Sequence, residues 1–129
     1  MGYTHYWDHP EINENDWYKL LNVCTDLLPS VYPLIRWESD SDLKAETSQK
    51  CIRFNGIGDD GYETFVLTKK SCTFAFCKTA HKPYDFIVVA VLTAAKECIK
   101  GFNWWSDGDP VDLEAGINLY LSTKELGVN

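Results

Sequence analysis

Long apolar runs and an excess of basic residues are both missing from this sequence, and each absence excludes a class of protein. No stretch reaches the roughly 20 apolar residues of a membrane span. The opening MGYTHYWDHP lacks the basic-then-apolar order of an export signal, so a cytoplasmic location is expected. Twelve Lys and Arg against 19 Asp and Glu give a net charge of -7, which argues against general nucleic-acid binding and against an anionic membrane surface. The five cysteines are an odd number without a C-x-x-C pair, and read as small buried hydrophobes in a reducing compartment. There is no repeat, low-complexity tract or linker, so residues 1–129 are expected to form one domain. Also missing are a G-x-S-x-G elbow, an H-E-x-x-H pair, a P-loop and paired H-x-T/S repeats.

What is present is globular: 45% hydrophobic residues and a high 14% aromatics, with 5 Trp. Trp17, Leu20, Leu21, Cys24, Leu27, Leu28 and Val31 recur on one face and predict a helix over about residues 14–28, capped by Asn13. A short strand is expected at 34–38 and a surface loop from Ser39 to Gln49. Cys51–Asn55 and Tyr62–Leu67 read as a hairpin, and Cys72–Lys78 as a further strand. The nearly all-apolar run from Tyr84 to Lys100 predicts a buried helix, with Pro83 in its first turn and Gly101 just past its end. A strand at 102–105 and a helix over about 110–124, capped by Asp109, complete the reading. The expected class is α+β: about three helices on a mostly antiparallel sheet of four or five strands.

Gly56-Ile-Gly58-Asp-Asp-Gly61 spells G-x-G-x-x-G, but a dinucleotide loop needs a helix after it, whereas YETFVL reads as a strand. Asp59 and Asp60 would repel phosphate, so a hairpin turn is the reading. His5 and His9 stand four apart, yet Pro10 follows and the segment reads as extended, leaving no third ligand evident. His5 is expected to pack among Tyr3, Tyr6 and Trp7, with His9 on the surface. No metal or cofactor is assigned.

The segment from Lys78 to Asp85 leads into the start of the buried helix, where free N–H groups and the helix dipole favour an anion. Lys78, Lys82 and His81 bring positive charge, Thr79 a hydroxyl, and Arg53 a further cation if the hairpin is adjacent. Strand alternation puts Tyr3, His5 and Trp7 on one side of the first segment, and Thr4 and Tyr6 on the other. One ring row could stack on a planar base. In Trp104-Trp105-Ser106-Asp107, one Trp is expected inward and the other outward. The binding set read from the sequence is therefore Tyr3, His5, Trp7, Arg53, Lys78, Thr79, Lys82, Trp105 and Asp107.

GYTHYW at 2–7, RFNG at 53–56, ETF at 63–65, FCKT at 76–79, KPYD at 82–85 and SDGD at 106–109 resemble a group of small uncharacterised proteins of phages and bacterial genomes. The resemblance implies a phage or prophage accessory protein in a bacterial cytoplasm. Such proteins include inhibitors of host defence, some of which bind or destroy nucleotide signals.

Three functional classes follow. The leading one is a non-enzymatic binder of a small anionic, phosphate-bearing ligand such as a nucleotide signal. The second is a small hydrolase or phosphodiesterase with His5 or His81 as general base, or with Cys77 as nucleophile beside Lys78. The third is a protein-interaction module that blocks a host enzyme through its acidic, aromatic surface. Assembly into a homo-oligomer is compatible with each.

Overall fold

The computed structural model describes residues 3–127; Gly2, the first residue of GYTHYW, lies outside them. In chain order the elements are β1 (Thr4–His9), α1 (Glu14–Leu27), β2 (Ile35–Arg36), β3 (Glu46–Thr47), β4 (Cys51–Gly56), β5 (Phe65–Thr68), β6 (Cys72–Lys78), α2 (Asp85–Cys98), β7 (Asn103–Ser106) and α3 (Pro110–Gly127). The class is α+β, as the sequence predicts.

The strands divide between two antiparallel sheets rather than forming one. One sheet has the order β6-β1-β7; in the other, β4 is the common partner of β2, β3 and β5. The division arises because β6 leaves β5 and pairs with β1, while β7 takes the other edge of β1. Both edges of the first strand are thereby satisfied by partners about 70 and 100 residues away. The expected 39–49 loop also contains a strand, β3, because Glu46 and Thr47 align with Arg53 and Ile52.

Both sheets and the helices contribute to one core of aromatic and branched residues. The side chain of Asn13 accepts the N–H of Asp16, starting α1, which buries Trp17, Leu20, Cys24 and Leu27. A 3-10 turn with Pro29 and Pro33 ends it. Helix α2 buries residues all round, including Ile87 to Leu92, Ala94 and Ala95, because α1, α3 and the sheet cover it. It starts at Asp85, two residues after Pro83, with the fully buried Tyr84 as its cap residue. Gly101 follows in the left-handed region, φ 83°. Gly116 lets α3 approach α2: a β-carbon there would stand 2.5 Å from Val89 and 2.6 Å from the Phe86 carbonyl.

The G-x-G-x-x-G segment forms the connection between β4 and β5 and leads into a strand. Asn55 ties this turn together: its side chain accepts from the N–H groups of Gly56 and Tyr62 and donates to the Tyr62 carbonyl.

Candidate functional site

The first residues of β1, the last residues of β6 and β7, and the starts of α2 and α3 meet at one end of the three-stranded sheet. The Tyr3 carbonyl accepts from the N–H groups of Thr79 and Ala80, at 3.1 and 3.3 Å. Thr4 and Asp107 exchange bonds, Thr4 N to the Asp107 carboxylate and Asp107 N to the Thr4 carbonyl, each at 3.0 Å. With the Lys82 N–H donating to the Thr79 carbonyl, these contacts join GYTHYW, FCKT, KPYD and SDGD, four of the six segments that carry the resemblance. A fifth, ETF, is tied in by Glu63: its carboxylate accepts the Lys78 N–H at 2.6 Å, and its carbonyl accepts the Tyr84 hydroxyl.

On the inner side of this junction is a buried polar chain. His5, fully buried, places Nδ1 2.8 Å from Ser106 Oγ and Nε2 2.6 Å from Asp85 Oδ1. The Thr79 hydroxyl donates to that same carboxylate oxygen, and Ser106 Oγ accepts the Gly108 N–H at 2.9 Å. The carboxylate of Asp85, first residue of α2, is thus spent on His5 and Thr79 and places negative charge at the helix start. Tyr3 lies edge-on to His5, and His81 stacks on it at 3.6 Å between ring centres. Among the described residues, the Tyr3 hydroxyl is the buried side-chain polar atom without a hydrogen-bond partner. Burial, and then the charge of Asp85, push its pKa up. Ala80 and His81 are both left-handed, φ 51° and 58°, which costs energy for residues with a β-carbon.

The outer side of the same sheet is aromatic and open. Register places Phe76 of β6 and Trp105 of β7 directly opposite Tyr6 of β1, so one row of rings crosses all three strands. Tyr6 stacks with Trp105 at 5.8 Å and 14°, Phe74 lies 5.9 Å from Tyr6, and Phe74 lies 5.7 Å from Phe76. Phe74, Phe76 and Trp105 are 56%, 53% and 44% exposed. The next row toward the junction pairs Lys78 with Thr4. Thr4, Tyr6, Phe74, Phe76, Lys78 and Asp107 line an open groove of about 420 Å³. Asp107 is held there by the Tyr6 hydroxyl, at 3.1 Å, and by the Thr4 N–H. The ion pairs among the described residues involve neither Lys78 nor Lys82.

The structure therefore sorts the sequence-predicted residues into three groups. Lys78, Trp105 and Asp107 share the outer face. Tyr3, His5, Trp7 and Thr79 point inward; Trp7 packs on Phe65, and the Thr79 hydroxyl is spent on Asp85. Arg53 belongs to the second sheet, stacked 3.6 Å over Trp37 and paired with Glu38. Lys82 lies half-buried in the turn before α2, its N–H donating to the Thr79 carbonyl. Of the tryptophan pair, Trp105 points outward and Trp104 inward, as alternation predicts.

Four groove residues, Thr4, Tyr6, Phe74 and Phe76, are absent from the binding set read from the sequence. Alternation alone placed Tyr6 opposite Tyr3, His5 and Trp7. In β6 the large rings face out while the small Ala75 and Cys77 face in, the reverse of the usual assignment of large apolar residues to the interior. His9 is buried rather than on the surface: it continues the inward alternation of His5 and Trp7, and its ring stacks on Phe102. The nucleophile reading of Cys77 meets a thiol that burial pushes up to about 12. Among the described residues, no group of three or more His, Cys, Asp or Glu gathers as a metal-ligand set. No helix among them is long and apolar enough to cross a membrane.

Comparison with protein-family models, with curated proteins and with solved structures gives no match.

Proposed function

We propose that the groove on the outer face of the three-stranded sheet binds, without chemistry in the groove itself, a small, planar, phosphate-bearing ligand of the nucleotide class. The observation that carries the reading is the row of exposed rings that ends at Lys78. Flat rings at this spacing offer stacking surface worth about 1–3 kcal/mol per base. Lys78, outside any described ion pair, supplies a cation for phosphate. Asp107, fixed at the groove wall, accepts from ring N–H or sugar hydroxyl donors and repels phosphate, so it orients the ligand with its phosphate toward Lys78. No thiol or imidazole lines this groove, which fits binding without chemistry.

The resemblance to phage proteins extends the reading to sequestration of a nucleotide immune signal in a bacterial cytoplasm. The exposed rings also favour a second reading, a protein interface that blocks a host enzyme. Titration with a panel of mono-, di- and cyclic nucleotides, followed by tryptophan fluorescence, separates the two. The first reading expects saturable quenching by at least one nucleotide, weakened about tenfold or more by Phe76→Ala and by Lys78→Ala, since each removes one stacking or charge contact. Absence of any saturable response leaves the ligand reading without support and favours the interface.

A further inference from the structure

Ser106, His5 and Asp85 form a continuous hydrogen-bonded chain that the groove does not use. Carboxylate oxygens only accept, so the contact at 2.6 Å places the imidazole hydrogen on Nε2. Nδ1 is then the acceptor for the Ser106 hydroxyl at 2.8 Å. This is the sequence of nucleophile, base and orienting carboxylate found in serine hydrolases, with the two ring nitrogens exchanged. Asp85 is itself fixed by the Thr79 hydroxyl. Two donors stand at the serine: the Gly108 N–H, which donates to Oγ at 2.9 Å, and the buried Tyr3 hydroxyl, which lies against Gly108. Any side chain at Gly108 would collide with that hydroxyl, so glycine there keeps the two donors adjacent. Ser106 ends an edge strand and is half-buried, whereas His5 is sealed from solvent.

We infer that Ser106 is the nucleophile of an acyl-transfer site, with His5 as its general base and Asp85 as the positioning residue, acting on an uncharged carboxylic ester. The substrate class follows from charge. Asp85 lies on His5, and Asp109 and Asp112 stand at the start of α3 beside Gly108, so carboxylates surround the serine and a carboxylate or phosphate there is repelled. Ser106 Oγ bonds to the carbonyl carbon as its proton passes to His5 Nδ1. The Gly108 N–H, which in the resting site donates to Ser106 Oγ, turns to the carbonyl oxygen, now negative, and the Tyr3 O–H donates to it as well. The carbon–oxygen bond to the alcohol then breaks, and the alcohol leaves with the proton from His5. Water gives a proton to His5 Nδ1, attacks the acyl-serine and releases the carboxylic acid, and that proton returns to Ser106.

The test is reaction of the full chain with an uncharged fluorophosphonate probe, followed by peptide mapping, together with hydrolysis of p-nitrophenyl acetate. A site built for attack gives one label per chain, on Ser106, and ester turnover that Ser106→Ala abolishes. Asp85→Asn is expected to slow labelling about 100-fold or more and to move the acid limb of its pH profile to lower pH, because the imidazolium loses its carboxylate. A merely structural aspartate would leave that profile in place. Tyr3→Phe is expected to cut turnover by about tenfold or more with the fold intact. Should Ser106→Ala fail to fold, the mapped label on the unaltered protein decides alone. A folded protein that takes no label, or takes it elsewhere, overturns the assignment, as does ester turnover equal to that of Ser106→Ala.

Discussion

His5 Nε2 and the Asp85 carboxylate meet at 2.6 Å across 80 residues of sequence, and their contact pins the middle strand of the three-stranded sheet to the first turn of the buried helix. His5 is fully buried and the Asp85 side chain is 14% exposed. Removing the carboxylate leaves an imidazole N–H and the Thr79 hydroxyl without their acceptor. Asp85→Ala is therefore expected to lower the unfolding free energy by about 2–4 kcal/mol, since two buried neutral donors lose their charged acceptor. Urea denaturation measures it, and a loss below about 1 kcal/mol would mean that water or a rotated side chain replaces the contact.

Tyr3 behaves in the opposite sense. Its hydroxyl is buried without a partner, and such a group costs about 1–3 kcal/mol relative to one that is satisfied. Tyr3→Phe removes the group while keeping the ring stacked on His81. The variant is expected to be as stable as the parent or more so by urea denaturation, although it forfeits a donor at Ser106. A clear destabilisation would show that the hydroxyl has a partner in solution.

The turn after β6 stores backbone strain. Ala80 is held at φ 51°, where a β-carbon costs roughly 1 kcal/mol. Glycine has no such penalty but gains freedom in the unfolded chain, so the two effects oppose each other. Ala80→Gly is expected to raise thermal stability slightly, by up to about 1 kcal/mol, because the steric term is local and fully relieved. A lower melting temperature would indicate that the unfolded-state term dominates.

Alkaline pH should unfold the protein through its buried thiols. Burial pushes Cys24 and Cys77 from an ordinary 9.0 up to about 12. Above about pH 9 the unfolded chain loses these protons while the folded chain keeps them, so stability falls as pH rises. Each thiol contributes a slope of up to about 1.4 kcal/mol per pH unit, ending where the folded thiols ionise near about pH 12. Urea midpoints at about pH 8 and about pH 10 should differ accordingly, with a shallower dependence for Cys24→Ala. Equal slopes for the two proteins would contradict the buried thiol as the cause.

Helix positions were readable because each carries a local signal. Asn13 caps α1 through the N–H of Asp16, and Asp109 caps α3 through Val111 and Asp112. Strand partnership was not readable, since nothing local in Thr4–His9 says that Lys78 and Ser106 will flank it. The site was legible by half for the same reason. Lys78, Trp105 and Asp107 lie on one face, but the rings beside them are those on the outward side of each strand. Period-two alternation gives two faces without saying which is buried. Tyr3, His5 and Trp7 were read as ligand contacts because they are polar or aromatic, and the fold spends them on its interior. Ser106 carried no signal of its own: its relation to His5 and Asp85 exists only once three remote segments have met.

Native mass spectrometry of the protein purified from bacterial cells decides whether the aromatic groove ending at Lys78 holds a phosphate-bearing ligand. Occupancy of the groove predicts a bound mass of nucleotide size, released intact by heat, and lost from both Lys78→Ala and Phe76→Ala while Lys82→Ala retains it. Protein that is empty on isolation and remains empty after incubation with a nucleotide panel, or a bound mass that survives both groove substitutions, would contradict it.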